Sequence, residues 1–219
     1  MINFKPLTAI EIDSLGLDAI YHIVDPKFPL VILIHGKAGN KDVMKTFVRC
    51  IPNSFNIVSI QAPRSEMKLG GYSWWFTEDG YDILAQAGES SKLIDSFIAK
   101  FNTHFGLTPD FILGIGFSQG AAVMSYLYQE NPELFTSIAM LVGFTIKNPN
   151  HSKNISNLNS EILMINGEID ETISLNQARN SYNYLESLGF EVYMLTEKVG
   201  HKLGKAGLLE LKSWVNSFI

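Results

Sequence analysis

The segment Gly116-Phe117-Ser118-Gln119-Gly120 sets a serine between two glycines where an apolar run gives way to a helical pattern. Phe111, Ile112, Leu113 and Ile115 precede it as a buried-type strand, and Ala121, Ala122, Val123, Met124, Tyr126 and Leu127 follow as a helix. A serine at such a junction must turn sharply, which is costly for a residue with a Cβ, so the positions two before and two after it must be small. Gly116 and Gly120 meet that demand. The turn would lift the Ser118 hydroxyl above the sheet as a nucleophile. It would also leave the N–H of Gln119 at the positive end of a helix, where a developing oxyanion can be held. The five-residue pattern alone arises by chance in roughly one chain in ten to twenty of this length, so the flanking strand and helix carry the reading.

A serine hydroxyl needs a base within hydrogen-bond reach and an acid that fixes the tautomer of the base. Both are expected on loops after later strands, at the same end of the sheet as Ser118. The apolar run 161–165 leads into Asn166-Gly167-Glu168-Ile169-Asp170-Glu171, and spacing leaves the acid open among Glu168, Asp170 and Glu171. The run 190–195 leads into Val199-Gly200-His201. Of the other histidines, His22 lies in an early strand, His104 ends a helix and His151 precedes the acid's strand, so His201 alone stands where the base is expected. His35 opens the loop His35-Gly36-Lys37-Ala38-Gly39-Asn40 and shapes it rather than transferring protons. With Gly36 it would present the N–H of Lys37 to the oxyanion, pairing with the N–H of Gln119.

The elements that must position these groups follow from periodicity. Leu30–Ile34 is an unbroken apolar run, as in a central parallel strand covered on both faces. Further strands are expected at 17–24, 55–60, 137–142, 161–165 and 190–195. Helices are expected at 40–51, Ile83–Phe105, 174–188 and 203–219. Their alternation predicts one α/β domain over 1–219, a mainly parallel sheet with helices on both faces and no separate cap. Residues 61–80 form a long irregular stretch whose Tyr72, Trp74, Trp75 and Phe76 suggest the wall of an apolar pocket. Core anchoring is the competing reading for each aromatic. Residues 143–160, rich in Asn and Ser, read as an exposed, mobile loop over the same end of the sheet.

Composition narrows the function. The 17 Lys and Arg against 22 Asp and Glu give a net charge of −5 with no basic run, which argues against nucleic acid. Cys50 is the single cysteine, so no intrachain disulfide forms, a pattern that fits a reducing, cytoplasmic setting. No stretch approaches the ~18 apolar residues of a membrane span, and the N-terminal residues do not read as a secretion signal. No metal or organic cofactor is expected. A homodimer is compatible with the sequence but is not read from it.

Through VILIHGKAGN, QAPR, GGYSWWF, GIGFSQGAAV, INGEID and VGH the chain resembles, over nearly its whole length, the carboxylesterase/lysophospholipase group of small α/β-hydrolases that includes the acyl-protein thioesterases. The resemblance implies an α/β-hydrolase fold and a serine hydrolase cleaving carboxylic esters, with thioesters and lysophospholipids among its substrate classes. It implies Ser118 as nucleophile, Asp170 as orienting acid, His201 as base, and the Lys37 and Gln119 amides as oxyanion hole. The expected substrate is a small ester with an apolar acyl or aryl group. The chain departs from the family pattern at Trp75-Phe76-Thr77, where an aspartate usually follows the aromatic pair, and at Val142-Gly143-Phe144, where Ser-Gly is common. Another acyl hydrolase, a serine peptidase, or a non-catalytic receptor on the same fold are the rival readings.

Overall fold

A computed structural model describes residues 2–151 and 161–219. Among the described residues ten strands run in chain order: β1 (Lys5–Pro6), β2 (Ala19–His22), β3 (Leu30–Ile34), β4 (Asn56–Ile60), β5 (Arg64–Ser65), β6 (Tyr72–Ser73), β7 (Ile112–Phe117), β8 (Ser137–Leu141), β9 (Glu161–Gly167) and β10 (Glu191–Glu197). The helices are α1 (Ala9–Leu15), α2 (Ile83–Phe105), α3 (Gln119–Glu130), α4 (Leu175–Ser187) and α5 (Lys205–Asn216), with a 3₁₀ helix at Val43–Cys50. Among the described residues eight strands build one sheet in the order β1-β2-β4-β3-β7-β8-β9-β10. β1 and β2 are antiparallel additions at one edge, and within this sheet every pairing from β4 through β3, β7, β8 and β9 to β10 is parallel, while β5 and β6 form a separate antiparallel pair. This is a single-domain α/β-hydrolase fold.

The unbroken apolar run of β3 is explained by its two covered faces. Leu30, Ile32 and Ile34 point into a core shared with Ile94, Phe97 and Phe101 of α2 and with Ala121 and Ala122 of α3. Val31 and Leu33 point the other way, onto Met44 and Phe47 of the 3₁₀ helix and Leu211 and Trp214 of α5. Strand side chains alternate between faces, so only a strand buried on both sides requires every residue to be apolar. Each fully buried aliphatic side chain contributes about 1.5–3 kcal/mol as an upper estimate.

α2 spans the residues its periodicity predicts. Asp82 caps it by accepting from the N–H of Ala85, and Gly106 ends it in the left-handed region at φ 62°. The segment expected as an α-helix at 40–51 is instead a 3₁₀ helix over a shorter span. α1 is an element the periodicity does not predict; Thr8 and Glu11 form a reciprocal capping box ahead of it and Gly16 closes it at φ 89°.

Candidate active site

The strand-to-helix junction after β7 has the strained geometry its glycines foretell. Ser118 sits at φ 52°, ψ −115°, a region that costs a residue with a Cβ of order 1–3 kcal/mol. Its N–H donates to the Leu141 carbonyl at 2.9 Å, and its own carbonyl accepts from Ala122 N–H at 3.2 Å, so both sides of the residue are fixed. A Cβ on Gly116 would lie 2.6 Å from the Ala121 Cα. One on Gly120 would lie 2.2 Å from the Ile34 carbonyl oxygen. The close approach of α3 to β7 and β3 therefore requires hydrogen at both positions.

The structure brings Ser118, Asp170 and His201 together. The Ser118 Oγ lies 2.9 Å from His201 Nε2, and His201 Nδ1 lies 2.7 Å from Asp170 Oδ2. The Asp170 side chain is fully buried, and its other oxygen accepts from the N–H groups of Thr172 (2.8 Å) and Ile173 (3.0 Å). An ionised carboxylate only accepts, so His201 carries its proton on Nδ1 and leaves Nε2 free to accept from the serine hydroxyl. The rival acids are elsewhere: Glu168 is exposed and accepts from the Thr196 hydroxyl, and Glu171 is exposed. His22 meets the Asn3 carbonyl, His104 meets Glu11, and His151 meets the Asn148 carbonyl, all away from Ser118.

Asp170 and His201 are positioned by one ladder. The parallel register of β9 and β10 ends on the pair Gly167 and Glu197, and the loops beyond continue it through Glu168 N–H to the Glu197 carbonyl (2.9 Å) and Ile169 N–H to the Val199 carbonyl (3.2 Å). A Cβ on Gly167 would stand 2.3 Å from the Val199 carbonyl oxygen, so the two loops touch backbone to backbone. The Glu197 carboxylate accepts from Ala206 and Gly207 N–H in the first turn of α5, tying down the far end of the loop that carries His201. The Phe117 ring and the His201 imidazole meet in a T-shaped contact at a centroid distance of 5.5 Å, and Phe47 stacks on Phe117.

The loop after β3 lies against this elbow. A Cβ on Gly36 would be 3.2 Å from the Ser118 Cβ. The N–H groups of Lys37 and Gln119 donate to no acceptor among the described residues. His35 is fully buried. Its Nε2 receives the Ala62 N–H at 3.0 Å, so Nδ1 holds the proton and donates to the Gly36 carbonyl at 2.7 Å. Burial pushes the His35 pKa down to about 4 from 6.5, against a smaller opposing effect of the Gly36 hydrogen bond. Between these values the unfolded chain binds a proton that the folded one refuses. Stability therefore rises with pH across that window, and up to about 3 kcal/mol from this residue is lost as pH falls through it. We expect the His35 imidazole resonances to remain those of the neutral Nδ1–H form at pH 5. Titration near 6.5 would contradict its buried, twice-bonded position.

The expected aromatic pocket wall divides in two. Trp74 and Trp75 are 0% and 2% exposed and belong to the core, so they offer no accessible surface to a ligand. Trp74 donates its indole N–H to the His35 carbonyl (2.8 Å) and its backbone N–H to Gln119 Oε1 (2.8 Å), while its carbonyl accepts from Arg64 and Ser90. The Gln119 amide nitrogen then donates to the Trp75 carbonyl at 2.9 Å. These tryptophans thus anchor segment 61–80 to the elbow and the His35 loop, because an indole supplies bulk for a core and a donor for a loop carbonyl at once. Tyr72 and Phe76 are half-buried, with Phe76 against Tyr81, and keep accessible surface.

A second correction concerns segment 143–160. Over residues 144–148 it is pinned rather than loose: Gln129 donates to Thr145 Oγ1 and the Ile146 carbonyl, and accepts from Asn148 N–H. Residues 152–160 lie outside the described residues. Val142 has φ 43°, and a Cβ on Gly143 would be 2.4 Å from the Ala121 Cβ, so the chain leaves β8 closely packed on α3.

A family model described as phospholipase/carboxylesterase matches residues 16–219. The chain belongs to the phospholipase/carboxylesterase family. Membership makes it a hydrolase of the esterase kind. A relative, acyl-protein thioesterase 1 homolog 1 of Dictyostelium discoideum, is 28% identical over 187 residues, spanning 78% of this chain and 82% of the relative. The fold matches the carboxylesterase of Bacillus cereus with a TM-score of 0.85 at 16% identity, covering 96% of this chain and 98% of the other. It matches a carboxylesterase from Mesorhizobium loti with a TM-score of 0.81 at 18% identity, covering 98% and 99%. In this phospholipase/carboxylesterase member no helix among the described residues is long and apolar enough to cross a membrane.

Proposed function

We propose that the chain is a serine esterase that works through an acyl-enzyme on Ser118. The observation that carries this reading is the continuous hydrogen-bond chain from the Ser118 hydroxyl through His201 to the buried Asp170. His201 Nε2 takes the Oγ proton as Oγ bonds to the substrate carbonyl carbon. The carbonyl oxygen, now anionic, is received by the N–H groups of Lys37 and Gln119, each worth about 2.7–4 kcal/mol in the transition state. Collapse of the intermediate breaks the bond to the leaving alkoxide or thiolate, which takes the proton from His201. Water then gives a proton to His201 and its oxygen to the acyl carbon, and Ser118 recovers its proton as the acid departs.

The substrate of this reading is a small ester with an apolar acyl or aryl group, for which Tyr72 and Phe76 are the candidate contacts. Thioesters enter the proposal because a relative is named as an acyl-protein thioesterase. The single cysteine supports a cytoplasmic setting. Turnover of p-nitrophenyl esters of increasing acyl length, beside the matching acyl thioesters, tests the class. We expect turnover of short and medium acyl groups together with stoichiometric labelling of Ser118 by a fluorophosphonate. Labelling at a different residue, or turnover of peptides alone, would remove the esterase reading.

A further inference from the structure

We propose that Glu66 and Ser73, a buried carboxylate and hydroxyl outside the triad, are positioning residues that hold the Lys37 N–H in place for the oxyanion. The inference rests on the serine-esterase reading and adds to it two residues that never touch the reacting atoms.

The N–H of Lys37 shares a rigid peptide plane with the Gly36 carbonyl, and in a trans peptide the two point in opposite directions. The carbonyl end is held by His35 Nδ1–H at 2.7 Å and by Gly39 N–H at 3.1 Å. The next peptide is held by its own N–H: Ala38 donates to Ser73 Oγ at 3.1 Å. Having accepted there, the hydroxyl sends its single proton to Glu66 Oε1 at 2.5 Å. A carboxylate has no proton to return, so the direction of the relay is fixed from amide to hydroxyl to carboxylate. Ser73 and Glu66 are 0% and 4% exposed, so water does not compete for these bonds.

The relay has a conformation to hold. Ala38 stands at φ 55°, in the left-handed region that an alanine avoids unless its surroundings impose it. The β5–β6 hairpin that carries Glu66 and Ser73 closes on the loop from the same side. Tyr72 N–H donates to the Gly39 carbonyl at 2.7 Å, and a Cβ on Gly71 would lie 2.2 Å from the Ala38 carbonyl oxygen. Released from Ser73, Ala38 can relax toward negative φ, and the peptide that offers Lys37 N–H turns with it.

The test compares wild type, Ser118→Ala, Ser73→Ala and Glu66→Gln in p-nitrophenyl ester turnover and in amide hydrogen exchange at Ala38. Ser73→Ala is expected to lower kcat about 10- to 100-fold with KM changed less than about threefold, because a displaced oxyanion donor is missed chiefly in the transition state. Glu66→Gln keeps an acceptor but can also donate, and is expected to lose less. Exchange at Ala38 should quicken at least about tenfold in Ser73→Ala. Wild-type kcat in both variants, or a fall in kcat with Ala38 still protected, would overturn the proposal. Absence of ester turnover in wild type would overturn the esterase reading and the oxyanion role with it. Exchange at Ala38 would then decide only whether the relay holds the loop.

Discussion

Ser118→Ala is expected to lower ester turnover by about 10⁴- to 10⁶-fold and to abolish fluorophosphonate labelling, with the circular dichroism spectrum unchanged. The hydroxyl is the only atom lost. Its Oγ contacts His201 Nε2, while the backbone of residue 118 is held independently through the Leu141 carbonyl and Ala122 N–H. Activity and fold therefore separate at this position. Ser118→Gly should be equally inactive yet more stable than Ser118→Ala by about 1 kcal/mol, because alanine keeps the Cβ that makes φ 52° costly whereas glycine does not, at some cost in backbone entropy. Urea unfolding of the two variants checks this. Equal midpoints would mean that the elbow stores little strain, and retained turnover in either would exclude Ser118 as nucleophile.

Gly120→Ala is expected to destabilise the fold by more than about 3 kcal/mol, or to prevent its formation. The added carbon would lie 2.2 Å from the Ile34 carbonyl oxygen and 2.4 Å from that of His35. Both are main-chain atoms at the end of the central strand, and neither can move aside as a flexible side chain would. The His35 carbonyl also receives the Trp74 indole, so displacement there would loosen the anchored segment as well. Gly88→Ala is the control. In α2 a Cβ at that position meets the Tyr126 hydroxyl at an ordinary 3.4 Å, and alanine is the better helix former, so stability should rise by about 0.5–1 kcal/mol. Similar losses in both variants would show that packing at Gly120 is not what demands glycine.

The parts of the site that were legible in the sequence were those fixed by local sterics. Gly116 and Gly120 around Ser118, the apolar run of β3 and the stripe of α2 each follow from short-range rules, and the corresponding elements form where the pattern puts them. The candidate acid was not legible in this way. Glu168, Asp170 and Glu171 crowd one loop, and only the three-dimensional course of β9 and β10 turns Asp170 inward while its neighbours face solvent. The tryptophans misled for a related reason. In a polar loop a large aromatic signals burial equally well against a ligand or against the protein's own core, and the partner of the Trp74 indole, a carbonyl 39 residues away, leaves no local trace. The capping box of Thr8 and Glu11 does leave one, but α1 offers only a short apolar pattern beside it, too little to predict a helix by periodicity.

On the proposed serine-esterase reading, the order in which Ser118, Asp170 and His201 are threaded through the sheet has a kinetic consequence. Ser118 and His201 are separated by 83 positions, and between β7, which carries the serine, and β10, which carries the histidine, stand β8 and β9. Synthesis proceeds from the N-terminus, and contacts so distant in sequence close late. A nascent chain can thus complete the elbow while the residues that activate it are still within the ribosome. On the proposed reading Ser118 stays unactivated until the edge strand docks along the register of β9, so appearance of activity should mark the closing of the last strand and lag behind burial of the core.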